Sequence, residues 1–467
     1  MTRLMRCLYC GLLQDEPVGV KNCLRCGGEL EFEDIALATG IGSYVMAQME
    51  LDQVKAPAGQ NVDRYVLVTI RTPAQVPPEQ AAKTESGRPA LNFCAILDIS
   101  GSMHGEKMQY TKDAIRHAIK CLRTGDIFSL VTFSNVARSV FEPKEFGKNL
   151  QDSIESALSE ISAGGMTALY DGMSLGIEKA LLKKQSSNLA LILSDGQANV
   201  GDTDIEHIGQ QALNARQQGL VLSALGVGMD YNEALMTEIA NQGGGRFYHL
   251  EDPAKIPDFM TGELGEVANL AARAATLELT IPPGSTVMPL SSAYPTQQGE
   301  GKATISLGDI PGDTELEVPI RLTLPAQPVS SKLHVEGSLE YQSPVGNHLR
   351  TPLNRVTVRF VEYSGFKIQD GVIPPVVEKV LDQIKASDIL NVSRAFAINS
   401  EKGEQEMSVG IAQMRQYASK LGEERAEFEA QEVEKKFTAM RSSPAMAKHH
   451  VAVAYTHSRS SKDFSKK

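Results

Sequence analysis

The 467-residue chain contains no apolar run approaching the roughly 20 residues needed to cross a bilayer, so no membrane span is expected. It also lacks an excess of positive charge. Against 57 Asp and Glu stand 46 Lys and Arg, a net charge of −11. That balance argues against bulk binding to nucleic acid or anionic membranes, though not against a local basic patch. The first apolar stretch, MTRLMRCLYCGLL, is broken by Arg6 and two cysteines and has no small-residue cleavage site after it. No signal peptide is expected. Cysteines are few, six in all, and four lie within the first 26 residues. This distribution suits one metal site in a reducing cytoplasm, not a disulfide framework. No HExxH or Walker loop occurs, and the expectation is a protein that is not an enzyme.

What is present divides the chain into several regions, as its length predicts. Cys7-Leu-Tyr-Cys10-Gly is followed by Cys23-Leu-Arg-Cys26-Gly-Gly. Each CxxC places two thiolates on a tight knuckle, and two knuckles supply four sulfurs, the set that suits a tetrahedral structural Zn²⁺. So short a segment cannot bury enough core to fold alone, so the metal would stabilise it. Residues 1–33 resemble a zinc ribbon. Residues 34–80 carry alternating strands such as Tyr65–Ile70, and 79–90 reads as a polar linker.

From 91 to 265, apolar runs at Leu91–Leu97, Ile127–Phe133, Leu189–Leu193 and Leu220–Val227 alternate with helix-period stretches. That pattern predicts a mainly parallel sheet covered on both faces. Residues 270–365 lose the helical period and read as an antiparallel β-sandwich, which the 34–80 strands would join. Residues 370–437 return to helical stripes, with a helix connection expected at Asn399-Ser-Glu-Lys-Gly-Glu. The basic, Ser/His-rich tail, 438–467, is expected to be disordered.

The densest chemistry lies where the first apolar run ends in Asp98-Ile-Ser100-Gly-Ser102-Met. A strand there delivers a carboxylate and two hydroxyls into one turn at the carboxyl end of a parallel sheet, where such folds place ligands. Oxygen-only ligands suit a hard cation. DISGSM resembles the DxSxS signature of von Willebrand factor A domains. Gly164-Gly-Met-Thr167-Ala-Leu resembles that family's threonine loop, and Leu191-Ile-Leu-Ser-Asp195-Gly its fourth-strand aspartate.

The resemblance implies a doubly wound, Rossmann-like domain over 91–265 carrying a metal-ion-dependent adhesion site. Asp98, Ser100, Ser102, Thr167 and Asp195 would ligate Mg²⁺, or Mn²⁺ or Ca²⁺, and one position would stay open for a partner's Glu or Asp carboxylate. The fold class expected is thus multidomain α/β plus β. The doubly wound domain is inserted into the sandwich, between a zinc ribbon and a helical end, as in bacterial-type cytoplasmic members. The function expected is that of an intracellular interaction or scaffold protein. Three rivals stand beside it: a regulatory subunit of an AAA+ ATPase or chelatase-like machine, a nucleic-acid adaptor using the zinc ribbon and basic tail, and a surface adhesion protein, against which the zinc-ribbon thiols argue. His104 reads as an exposed loop residue, Lys107 as the start of the first helix, and Asp171 as a favourable charge at a helix N-terminus.

Overall fold

The computed structural model describes residues 2–7, 12–17, 19–25, 27–32, 43–77, 90–147 and 150–458. Near the N-terminus, β1 (Thr2–Cys7) pairs antiparallel with both β2 (Leu13–Pro17) and β3 (Leu30–Phe32). Three strands follow, β4 (Met46–Leu51), β5 (Lys55–Pro57) and β6 (Val62–Arg71). Of the 79–90 linker only Ala90 is among the described residues.

The α/β segment runs β7 (Leu91–Asp98), α1 (Glu106–Cys121), β8 (Ile127–Phe133), β9 (Ala137–Glu145), α2 (Leu150–Glu160) and α3 (Leu169–Leu182). It continues through β10 (Ser187–Ser194), α4 (Ile205–Gln217), β11 (Val221–Val227), α5 (Glu233–Gly243), β12 (Gly244–Leu250) and α6 (Ile256–Ala268). Every residue of β7, β8 and β10 is buried, as strands covered on both faces must be. Successive residues of β7 serve different cores. Phe93, Ala95 and Leu97 pack with Ile115 and Phe259, whereas Cys94 and Ile96 join the cluster of Met173 and Ile177.

The sheet order is β12-β11-β10-β7-β8-β9, parallel except for the edge strand β9. Because β7 lies between β8 and β10, chain connections leave it in opposite directions. The crevice outside the carboxyl ends of β7 and β10 is the topological switch point of the sheet, the place where such folds bind ligands. The Gly243-Gly-Gly run is the junction of α5 and β12. Gly244 caps the helix at φ 73°, and a Cβ on Gly245 would lie 2.0 Å from the Leu222 carbonyl oxygen.

After the α/β segment come β13 (Leu270–Thr280), β14 (Thr286–Pro289), β15 (Thr296–Gly299), β16 (Lys302–Pro311), β17 (Glu315–Leu324), β18 (Lys332–Gln342) and β19 (His348–Val361). They form two sheets, ordered β15-β16-β13-β18-β19-β5 and β14-β17-β6-β4. Strands from before and after the α/β segment therefore share both sheets. The ten-residue register of β6 on β17, Val62↔Leu324 to Arg71↔Glu315, holds the two ends together. The pairing is antiparallel apart from the short β5, which runs parallel to β19.

Four helices close the described chain: α7 (Pro374–Ile398), α8 (Ser400–Ala418), α9 (Glu423–Ser442) and α10 (Pro444–Ser458). Two expectations are corrected here. The break between α7 and α8 is not a six-residue connection but the single residue Asn399, whose Oδ1 accepts the Lys402 amide at 2.8 Å as an N-cap. The tail is helical, not disordered, over 444–458. Val451, Ala454 and Tyr455 form a buried stripe at helical spacing, and Tyr455 donates its hydroxyl to the Gly245 carbonyl at 2.8 Å.

Candidate metal site at the sheet's switch point

Three loops converge on the crevice between β7 and β10. Asp98 ends β7 with no exposed surface. Its Oδ1 accepts the Ser100 amide at 2.8 Å, and its Oδ2 accepts the Ser194 hydroxyl at 2.5 Å. The turn that follows tightens into a short 3-10 segment, Gly101–Met103, which holds Ser100 and Ser102 with their Oγ atoms 3.1 Å apart. Backbone bonds lock this turn to the threonine loop: the Gly101 amide donates to Gly165 at 3.0 Å and the Gly164 amide to Ile99 at 2.7 Å.

Thr167 is 3% exposed just before α3, and its amide donates to the Asn199 side chain at 2.8 Å. Asp195 follows β10, fully buried, and its Oδ1 accepts the Ser102 hydroxyl at 2.7 Å. Gly196 reports how closely these groups face one another. A Cβ built there would lie 3.1 Å from Thr167 Oγ1, 3.4 Å from Ser102 Oγ and 3.8 Å from Asp98 Oδ2. Oxygens from the first two loops thus look onto one small space that Gly196 of the third leaves open.

Two carboxylates buried this close need positive charge. Burial pushes the Asp98 carboxyl above the usual range, the Asp195 charge pushes the same way, and hydrogen bonds from Ser194 and Ser100 oppose them. Two carboxylates and three hydroxyls form an oxygen set for a hard divalent ion, Mg²⁺, Mn²⁺ or Ca²⁺. Among the described residues there is no cluster of three or more His, Cys, Asp or Glu that could hold a metal.

All five oxygen-bearing residues singled out in the sequence therefore meet at one point. Four others belong beside them. Ser194 and Asn199 hold Asp98 and Thr167, and Asn135 Oδ1 accepts the Met166 amide at 2.8 Å. The fourth is Lys107, whose Nζ forms an ion pair with Asp195 Oδ2. Only Lys107 left a signal in the sequence: a cation in the first turn of a helix opposes the helix dipole, so something outside the helix has to hold it there. His104 is exposed, and Asp171 is exposed in the first turn of α3.

At the N-terminus, Cys7 and Cys23 are buried. Cys23 Sγ accepts the Arg25 amide at 3.4 Å and donates to Gln14 Oε1 at 3.5 Å. Cys10 and Cys26 lie outside the described residues. A large cleft of about 1160 Å³ lies far from the metal loops, between the β6–β17 sheet and the C-terminal helices, lined by Tyr65, Arg321, Asp388 and Lys420 among others.

The family model described as von Willebrand factor type A domain matches residues 92–262. An uncharacterized protein of Synechocystis sp. is 26% identical over 348 residues, 70% of this chain and 80% of that one. Inter-alpha-trypsin inhibitor heavy chain H4 of Sus scrofa is 30% identical over 198 residues, 40% of this chain but only 21% of that protein. Among solved structures, a von Willebrand factor type A protein from Catenulispora acidiphila superposes with a TM-score of 0.62 at 16% identity, covering 90% of this chain and 98% of that one. The ArnB paralog VWA2 from Sulfolobus acidocaldarius gives 0.59 at 17% identity over 89% and 99%. These two likenesses extend the shared fold well beyond the α/β segment.

Proposed function

We propose that this chain, whose residues 92–262 form a von Willebrand factor type A domain, is a non-enzymatic interaction protein that captures an acidic residue of a protein partner through a divalent ion. The observation that carries the reading is the convergence of Asp98, Ser100, Ser102, Thr167 and Asp195 on the space beside Gly196. Those residues would hold the ion. When bound, it would supply a coordination position that a carboxylate can fill. The surroundings suit a protein partner, because Val136, Met166 and Met229 are exposed apolar side chains on the loops around the site. Domains of this family commonly mediate protein–protein interaction, which agrees with that reading.

Two finer elements belong to the same proposal. Cys7, Cys10, Cys23 and Cys26 together hold a structural zinc, and the chain works in the reducing cytoplasm, where those thiols persist. The two mainly antiparallel sheets act as a sandwich into which the metal-binding domain is inserted. Among the described residues no helix is long and apolar enough to cross a membrane.

The test is affinity capture with the full chain, with and without a chelator, comparing wild type with Thr167→Ala. Proteins captured by wild type alone, and lost on chelation, are the expected result. An identical captured set under all four conditions would sink the reading.

A further inference from the structure

Lys107 is the second residue of α1, where its charge opposes the helix dipole. Its ammonium forms an ion pair with Asp195 Oδ2, while Ser102 occupies Oδ1. The Asp195 side chain has no exposed surface and that of Lys107 is 25% exposed. The lysine tip also lies against Gly228, where a Cβ would come within 3.6 Å of Nζ. This cation is therefore part of the site and not a solvated surface charge.

Resting on the metal-site reading above, we propose that Lys107 is the specificity-determining charge of this site, weakening its hold on the metal and making a carboxylate its preferred ligand. The carboxylates of Asp98 and Asp195 would together neutralise a divalent ion. With the Lys107 ammonium beside them, the loaded site carries one surplus positive charge. A partner carboxylate cancels that charge, whereas water does not. The same ammonium competes with the ion for Asp195 Oδ2, which lowers metal affinity in the absence of a partner. Metal and acidic partner consequently reinforce each other's binding, as linkage requires.

The two effects have opposite signs, and this separates the proposal from a merely structural role. Full-length wild type, Lys107→Gln and Lys107→Arg would be titrated with Mn²⁺, following the free-ion resonance signal. Glutarate would then be added to the loaded protein at constant ionic strength, following loss of bound water by proton relaxation. For Lys107→Gln we expect Mn²⁺ binding on the order of tenfold tighter and glutarate binding several-fold weaker. Lys107→Arg keeps the wild-type values for both. Unchanged affinities in Lys107→Gln, or both weakened together, would overturn the proposal while leaving the metal-site reading intact. Absence of Mn²⁺ binding by folded wild type would overturn both.

Discussion

Lys448, on the last described helix, donates from Nζ to the Tyr231 carbonyl oxygen at 2.5 Å, and the same ammonium lies 4.4 Å from the centroid of the Tyr231 ring. Tyr231 is fully buried in the loop between β11 and α5, and Lys448 is 4% exposed. Glu233 completes the contact at 2.6 Å. A residue more than 200 positions away in sequence thus anchors α10 to the α/β domain.

Removing that anchor strands a buried carbonyl and a carboxylate. Lys448→Ala is expected to lower unfolding stability by about 2–4 kcal/mol. Amide exchange should rise first within 444–458. Denaturant unfolding together with hydrogen exchange checks both parts.

Gly196→Ala tests the proposed metal site directly. The backbone there is not in the left-handed region, so alanine should fold, but its Cβ meets Thr167 Oγ1 at 3.1 Å and Ser102 Oγ at 3.4 Å. We expect Mn²⁺ affinity to fall by on the order of tenfold or more, with thermal stability near wild type. Calorimetric titration and a melting curve measure the two.

Asp388, in α7, is 8% exposed, and burial followed by the nearby Glu406 charge pushes its carboxyl from 3.8 to about 7. The folded state therefore holds this proton more tightly than the unfolded chain. Its contribution to stability is full below pH 3.8 and is lost as pH rises through about 7. The slope in that window is at most about 1.4 kcal/mol per pH unit. Asp388→Asn should flatten the dependence, melting above wild type at pH values beyond the folded pKa and gaining least in acid. A constant difference across pH would contradict this.

Gly172→Ala probes how closely α3 sits on the sheet behind the threonine loop. The added Cβ would lie 2.4 Å from Phe133 Cδ1 and 2.9 Å from its Cβ, so the buried ring cannot simply swing clear. A loss of about 1–3 kcal/mol is expected from overpacking, read from the urea midpoint.

The three loops of the candidate site are legible in sequence because each is a short local pattern. Asp98, Ser100 and Ser102 sit within five residues, and Thr167 and Asp195 each lie in their own recognisable segment. Lys107 reads in sequence only as a helix start, since its partner Asp195 is 88 residues away and follows β10, the neighbour of β7 in the sheet. The helix of the tail is not legible because Ser, His and Lys outnumber the apolar residues over 438–467. Val451, Ala454 and Tyr455 gain their meaning only against the surface of β12 and α5 that they cover. Asn399 was read as the start of a loop, although an Asn followed by Ser-Glu is equally an N-cap, and only the packing of α8 on α7 decides between them.

The sequence by itself determined the alternation of buried strands and amphipathic helices from 91 to 265 and the identity of the oxygen donors, because both depend on residue type and short-range spacing. Tertiary structure alone decided which charge stands opposite those donors, where the last helix docks and how strands from both sides of the domain pair. Those are contacts between residues distant in the chain, and their free energies come from burial and charge proximity that no local pattern contains.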